Sequence, residues 1–138
     1  MSRYVWIGAL ALLVAVPSAA QTAIPDLRGT WKGESESVVY GGGNSHHPAA
    51  KPKEPQLRSV PFTLVIDKQE GRRFSGTFSS PRSTEKVVAV ISRNGTILMA
   101  DDDGHTNGSI LAPNKLELCY LHVSKAARIA SCTEMTKQ

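Results

Sequence analysis

Short turn signals divide the chain into eight segments in which apolar and polar residues alternate. Alternation with a period of two is typical of a β-strand with one buried face. The separators contain Gly, Asn, Asp and Pro, and Asn94-Gly95 is the strongest hairpin signal among them. The predicted strands span residues 29–40, 60–67, 73–79, 86–92, 96–100, 106–111, 115–123 and 127–135.

All but one of the connections between these strands are short. Short connections force consecutive strands to pair antiparallel, which gives an up-and-down topology. Eight such strands remove their exposed edges most economically by closing on themselves. We therefore predict an all-β fold, an eight-stranded antiparallel up-and-down β-barrel, with a six-plus-two sandwich as the arrangement that would show the same alternation.

The first twenty residues have the organisation of a signal peptide. Arg3 precedes an apolar run from Val5 to Val16, and small residues at Ser18 and Ala20 suit a signal peptidase. The run is shorter than the ~20 residues that cross a bilayer. The sequence thus predicts a cleaved segment at residues 1–20 and a single periplasmic or secreted domain at residues 21–138 that does not contact the membrane.

Two cysteines, Cys119 and Cys132, are the only ones in the chain. An even number of cysteines in an exported protein predicts a disulfide. If the last hairpin turns around Lys125 and Ala126, the two cysteines lie opposite each other and can be joined without moving the backbone. The same register places Glu117 against Glu134, which is unfavourable.

Residues 41–59 differ from the rest in composition, with consecutive glycines, prolines, charged residues and the pair His46-His47. Such a composition predicts a long mobile loop. Adjacent histidines point apart in an extended chain and have no third ligand at metal spacing, so we expect no metal site there. The acidic run Asp101–Asp103 also lacks the spacing of a calcium loop.

Charge and motifs exclude several classes of function. The net charge of +4 is spread along the chain without a dense basic block, so no nucleic-acid partner is expected. The sequence has no nucleophile elbow, zinc-protease motif, phosphate loop or dinucleotide fingerprint. We therefore expect no cofactor and no enzymatic activity.

The segment Leu27–Trp31, which opens the first of eight antiparallel strands in an exported chain, resembles the calycin superfamily, which includes the lipocalins and avidins. Residues 73–78 are similar to an avidin strand motif. The resemblance implies that Trp31 closes one barrel end beneath a basic side chain of the last strand, for which Lys137 is favoured over Arg128. Biotin is not the expected ligand, because Trp31 is the only tryptophan after residue 20 and Phe78 replaces a hydrogen-bonding tyrosine.

Alternation directs a set of aromatic and hydroxyl side chains into the barrel. The candidate ligand-binding residues are Trp31, Ser35, Ser37, Phe62, Phe78 and Tyr120. An apolar lumen with a few hydroxyl groups is typical of a small-molecule site, although a barrel filled by its own side chains has the same composition. We therefore predict a barrel that binds a small apolar or amphipathic ligand in its lumen, under the loop at residues 41–59. The alternative is a periplasmic protein-binding module, such as a protease or lysozyme inhibitor, acting through residues 21–26 or through that loop. The sequence leaves the oligomeric state open.

Overall fold

The structure is a computed structural model that describes residues 23–51 and 53–138. The predicted signal peptide, residues 1–20, lies outside the described residues. The described part of the chain is built of strands, turns and irregular segments. It contains no helix long and apolar enough to cross a membrane.

Eight antiparallel strands follow one another around a closed barrel, and β1 pairs with β8 to complete it. The predicted fold class is therefore confirmed, and the sandwich is excluded. The strands are β1 Gly29–Gly41, β2 Gln56–Glu70, β3 Arg73–Ser79, β4 Thr84–Ile91, β5 Ile97–Ala100, β6 His105–Ala112, β7 Lys115–Val123 and β8 Ala127–Lys137.

The β4–β5 connection is the hairpin that the sequence predicts at Asn94-Gly95. Gly95 adopts a φ of 88°, which a residue without a Cβ reaches readily. The Ser92 amide donates to the Thr96 carbonyl oxygen at 2.8 Å and closes the turn. Turn chemistry thus fixes where β4 ends and β5 begins.

The last hairpin has the predicted register. Cys119 lies opposite Cys132, and a disulfide joins them. Cys132 is exposed, so the bond lies on the outer surface of the barrel. Glu117 does lie opposite Glu134, but Lys115 Nζ binds Glu134 Oε1 at 2.5 Å and offsets the repulsion.

The predicted loop at residues 41–59 is shorter in the structure than the sequence indicates. β1 continues to Gly41, and β2 begins at Gln56, which pairs with Val39. Between them, residues 42–51, here called the histidine segment, fold back over the barrel, and His46 and His47 are 5% and 2% exposed. The composition of the segment did not predict this, because the buried surface that it packs against belongs to the barrel.

The barrel interior has two unlike halves. The end where β1 begins, here called the floor, is filled by large apolar side chains. They include Leu27, Trp31, Leu64, Ile66, Leu116 and Met135. The opposite end, here called the mouth, buries hydroxyl side chains instead. These are Ser35, Ser37, Thr106, Ser131 and Thr133.

Candidate ligand site in the barrel mouth

Trp31 is fully buried at the floor, and its position there is fixed by two neighbours. Its Nε1 donates to the Leu27 carbonyl oxygen at 2.8 Å, and Lys137 Nζ lies 5.4 Å from the ring centroid. The expectation that Lys137 rather than Arg128 covers Trp31 agrees with this contact. Arg128 instead lies 5.7 Å from the Tyr40 ring at the other end of the barrel.

A small cavity lies inside the mouth. Its volume is about 20 Å³, which is room for about one water molecule. Three predicted ligand-binding residues, Phe62, Phe78 and Tyr120, line this cavity. Trp31 belongs to the floor, whereas Ser35 and Ser37 lie in the polar layer between the floor and the histidine segment.

The histidine segment is folded around the side chain of Asn44. Its Oδ1 accepts from the amides of His46 and His47 at 3.1 and 2.8 Å. The backbone N–H of Asn44 donates in turn to the His47 carbonyl oxygen at 2.9 Å. This tight turn directs both imidazole rings into the barrel, although the two residues are adjacent in sequence.

His47 extends a chain of buried hydroxyl groups. Its Nε2 lies 3.1 Å from Ser37 Oγ, which donates to Ser131 Oγ at 2.8 Å and lies 2.9 Å from Ser35 Oγ. The pKa of His47 is lowered to about 4, first by burial and then by the neighbouring His46, against a smaller opposing effect of Asp103. The ring is therefore neutral at pH 7, and its Nδ1 has no hydrogen-bond partner among the described residues.

His46 packs on the aromatic side of the mouth. Its ring meets Phe62 and Phe78 edge-on, with centroids 5.4 and 5.8 Å apart. Phe62 and Phe78 stack on each other at 4.6 Å. The imidazole thus fills the space beside both phenyl rings.

Tyr120 links the histidine segment to the turn after β5. Its hydroxyl donates to Asp103 Oδ1 at 2.6 Å and accepts from Asn44 Nδ2 at 3.0 Å. Burial, and next the hydrogen bond to Asp103, raise the pKa of Tyr120 far above its usual range. The phenol is therefore a permanent hydrogen-bond donor at this end of the site.

Several polar residues of the mouth were missed by the sequence analysis. Glu85 is 6% exposed and points inward from β4, two residues before the buried Val87. Alternation with Val87 places the Glu85 side chain on the inner face of β4. The predicted strand began at residue 86 and therefore omitted Glu85. Thr106 and Thr133 also occupy inward positions that alternation could have identified.

Comparisons with known proteins find a likeness among solved structures. No protein-family model matches the chain, and no curated protein matches its sequence. Among solved structures, the S-type phycobiliprotein lyase CPES from Guillardia theta is similar at a TM-score of 0.48 and 11% sequence identity. The match covers 81% of this chain and 88% of that one.

That match corrects one prediction from the sequence. The expectation that the chain has no enzymatic activity is contradicted, because the similar protein is named as a lyase. The expectation rested on the lack of familiar catalytic motifs. Motifs detect residues at fixed spacing, whereas this barrel gathers polar residues from distant strands, such as Glu85 and Ser131.

Proposed function

We propose that the mature chain, residues 21–138, is exported after removal of residues 1–20 and binds a small amphipathic molecule in the barrel mouth. The histidine segment covers the site. An origin among the calycins is supported by Lys137 lying over Trp31. A periplasmic or secreted location is supported by the disulfide, because such bonds persist in oxidising compartments.

The observation that carries this proposal is the polar content of the mouth. Each buried polar atom without a partner costs about 1–3 kcal/mol, and apolar side chains would fill the same space without that cost. Yet His47 Nδ1 is buried without a hydrogen-bond partner among the described residues. Groups retained at such a cost are typical of a binding site, where a ligand supplies the missing partners.

The histidine segment is suited to act as a movable cover. Two backbone hydrogen bonds tie its ends, from Gly42 to the Ala126 carbonyl oxygen and from Ala50 to that of Gly41, both at 2.8 Å. The segment fills the mouth with the side chains of His46 and His47 and adds no strand to the barrel. If it moves outward, the space of both imidazole rings joins the existing cavity.

The cavity beneath the histidine segment has two chemically different sides. Phe62 and Phe78 form an apolar wall, and Ser131, Thr133 and Tyr120 supply hydroxyl groups. Ligand pockets are mostly apolar with a few placed polar groups. An amphipathic molecule with one hydrogen-bonding end fits this division.

The alternative of a protein-binding module has less support. The histidine segment directs His46 and His47 inward and so does not present them to an enzyme cleft. Ile24, in the other candidate segment, packs against the floor cluster. Both segments that were candidates for insertion into a partner thus make contacts with the barrel itself.

The test is binding of the amphipathic dye 1-anilinonaphthalene-8-sulfonate to a variant with residues 44–49 replaced by six Gly and Ser residues. We expect one dye per protein, bound at least ~10-fold more tightly than by the wild type, because the mouth is open. Near-ultraviolet circular dichroism of Trp31 checks that the barrel is folded.

A matched control adds Thr133→Trp to the same replacement. Thr133 is 4% exposed and lines the cavity, so the indole would occupy the space left by the imidazole rings and abolish dye binding. Dye binding that persists with Thr133→Trp would place the dye on the surface. That result, or a folded replacement variant that binds no dye, would overturn the proposal.

A further inference from the structure

Three carboxylates converge at the mouth from different parts of the sequence. Glu85 lies near the start of β4, and Asp101 and Asp103 lie in the turn between β5 and β6. One oxygen of each lies within 4.8 Å of the others. Like charges this close repel, and an intervening cation stabilises them.

Two deeply buried atoms beside this cluster are in ion-pair contact with each other but make no hydrogen bond among the described residues. His46 Nε2 and Glu85 Oε2 belong to side chains that are 6% and 5% exposed, and they lie 3.4 Å apart. Neither atom makes a hydrogen bond within the described ranges. The site thus has a buried nitrogen and a buried oxygen that face each other without a hydrogen bond.

The other polar atoms of the same two groups are held in place. His46 Nδ1 lies 2.8 Å from Ser80 Oγ, and Glu85 Oε1 accepts from the Ser45 hydroxyl. When His46 Nδ1 carries the proton and donates to Ser80, Nε2 presents a lone pair toward Glu85. Metal-bound histidines and carboxylates are typically oriented by such outer hydrogen bonds.

The separation of the two atoms agrees with a shared ion. Bonds of about 2.0–2.2 Å from one tetrahedral zinc ion place two ligand atoms roughly 3.4 Å apart. His46 Nε2 and Glu85 Oε2 are separated by 3.4 Å. Both can therefore bind one ion without moving relative to each other.

The donor set indicates the class of ion. It combines one imidazole nitrogen with carboxylate oxygens and has no thiolate, since Cys119 and Cys132 are joined in the disulfide. Imidazole suits zinc and other first-row transition metals better than magnesium or calcium. We propose that the Glu85, Asp101 and Asp103 cluster, with His46 beside Glu85 as a further ligand, forms a site for a divalent transition-metal ion, with zinc as the best-fitting example.

This site was rejected from the sequence because adjacent histidines and a run of aspartates each lacked companions. The fold supplies them by bringing Glu85 from β4 between the histidine segment and the β5–β6 turn. Because His46 belongs to the histidine segment and the carboxylates to β4 and the β5–β6 turn, the ion would fasten the cover to the rim of the barrel. The metal site itself does not depend on a ligand in the mouth.

The test is calorimetric titration of the chelator-treated, full mature protein with zinc chloride. We expect one zinc ion per chain in the wild type, and an affinity at least ~10-fold lower in His46→Gln and in Glu85→Gln. Asp102→Asn is the matched control, because Asp102 is exposed between the two aspartates of the site. It should bind zinc like the wild type.

Cobalt spectroscopy gives a second measurement on the same proteins. Co²⁺ bound to the wild type should show visible bands that zinc removes and that are absent in Glu85→Gln. Near-ultraviolet circular dichroism of the metal-free variants checks that each remains folded. Lack of stoichiometric binding to the wild type, or equal zinc affinity in the wild type, His46→Gln and Glu85→Gln, would overturn the proposal.

Discussion

The protonation state of His47 affects the stability of the closed mouth. The ring is 2% exposed and accommodated as the neutral form, with one nitrogen near Ser37 and the other unpartnered. Burying a neutral imidazole costs less than burying its cation. Protonation of His47 therefore destabilises the closed position of the segment that carries it.

We predict that this histidine makes stability fall in mild acid. Its pKa is about 4 in the folded protein, against a usual value of 6.5, so below pH 6.5 the unfolded chain binds a proton that the folded protein does not. The contribution of the neutral His47 ring to the free energy of unfolding is fully present above pH 6.5. It is lost as the pH falls toward 4, at up to ~1.4 kcal/mol per pH unit. Urea denaturation of metal-free protein between pH 7 and 4.5 measures it.

Two substitutions separate this effect from the titration of other groups. In His47→Gln the free energy of unfolding should fall less steeply as the pH is lowered, and the difference in slope should correspond to nearly one proton. His105→Gln, at an exposed position, should keep the slope of the wild type. Equal slopes in the wild type and His47→Gln would show that His47 is not held neutral.

The conformation of the histidine segment depends on the backbone at one residue. Gly43 has a φ of 73°, and a Cβ added there would overlap the His47 carbonyl oxygen. Glycine adopts this conformation without steric cost, whereas other residues lose about 1–2 kcal/mol. The turn that inserts both histidines into the mouth thus requires glycine at position 43.

Gly43→Ala should open the segment while leaving the barrel intact. We expect amide hydrogen exchange in residues 42–50 to become at least ~10-fold faster, since each 1.4 kcal/mol of local destabilisation gives about a factor of ten. Gly42→Ala is the control, because its added Cβ would lie 3.6 Å from the nearest atom, the Ala126 carbonyl oxygen. Unchanged protection in Gly43→Ala would contradict the role given to this turn.

The sequence predicted the elements better than it predicted the site. Alternation and turns such as Asn94-Gly95 located all eight strands, and Cys119 with Cys132 gave the register of the last hairpin. These signals are local or depend on one pair of residues. The contact between His46 and Glu85 joins two distant segments, and residues 42–51 have no periodic pattern from which their path could be inferred.

The barrel as a whole separates an apolar floor from a polar mouth. The floor buries Trp31, Leu64 and Met135 in a closed apolar cluster, and the disulfide lies outside near the last hairpin. The mouth carries the buried serines, the unpartnered Nδ1 of His47 and the carboxylates. Because the floor holds the strands together, we expect the barrel to stay folded when the mouth opens.

The most direct test of a ligand-binding mouth is native mass spectrometry of the mature protein exported by its own host, under non-reducing conditions. We predict a discrete organic mass in addition to the chain, which leaves on denaturation and is absent when Thr133→Trp fills the mouth. A metal ion would appear as a separate, smaller addition that a chelator removes. A bare chain mass from the host, together with no uptake of amphipathic molecules by the variant with residues 44–49 replaced, would contradict the account.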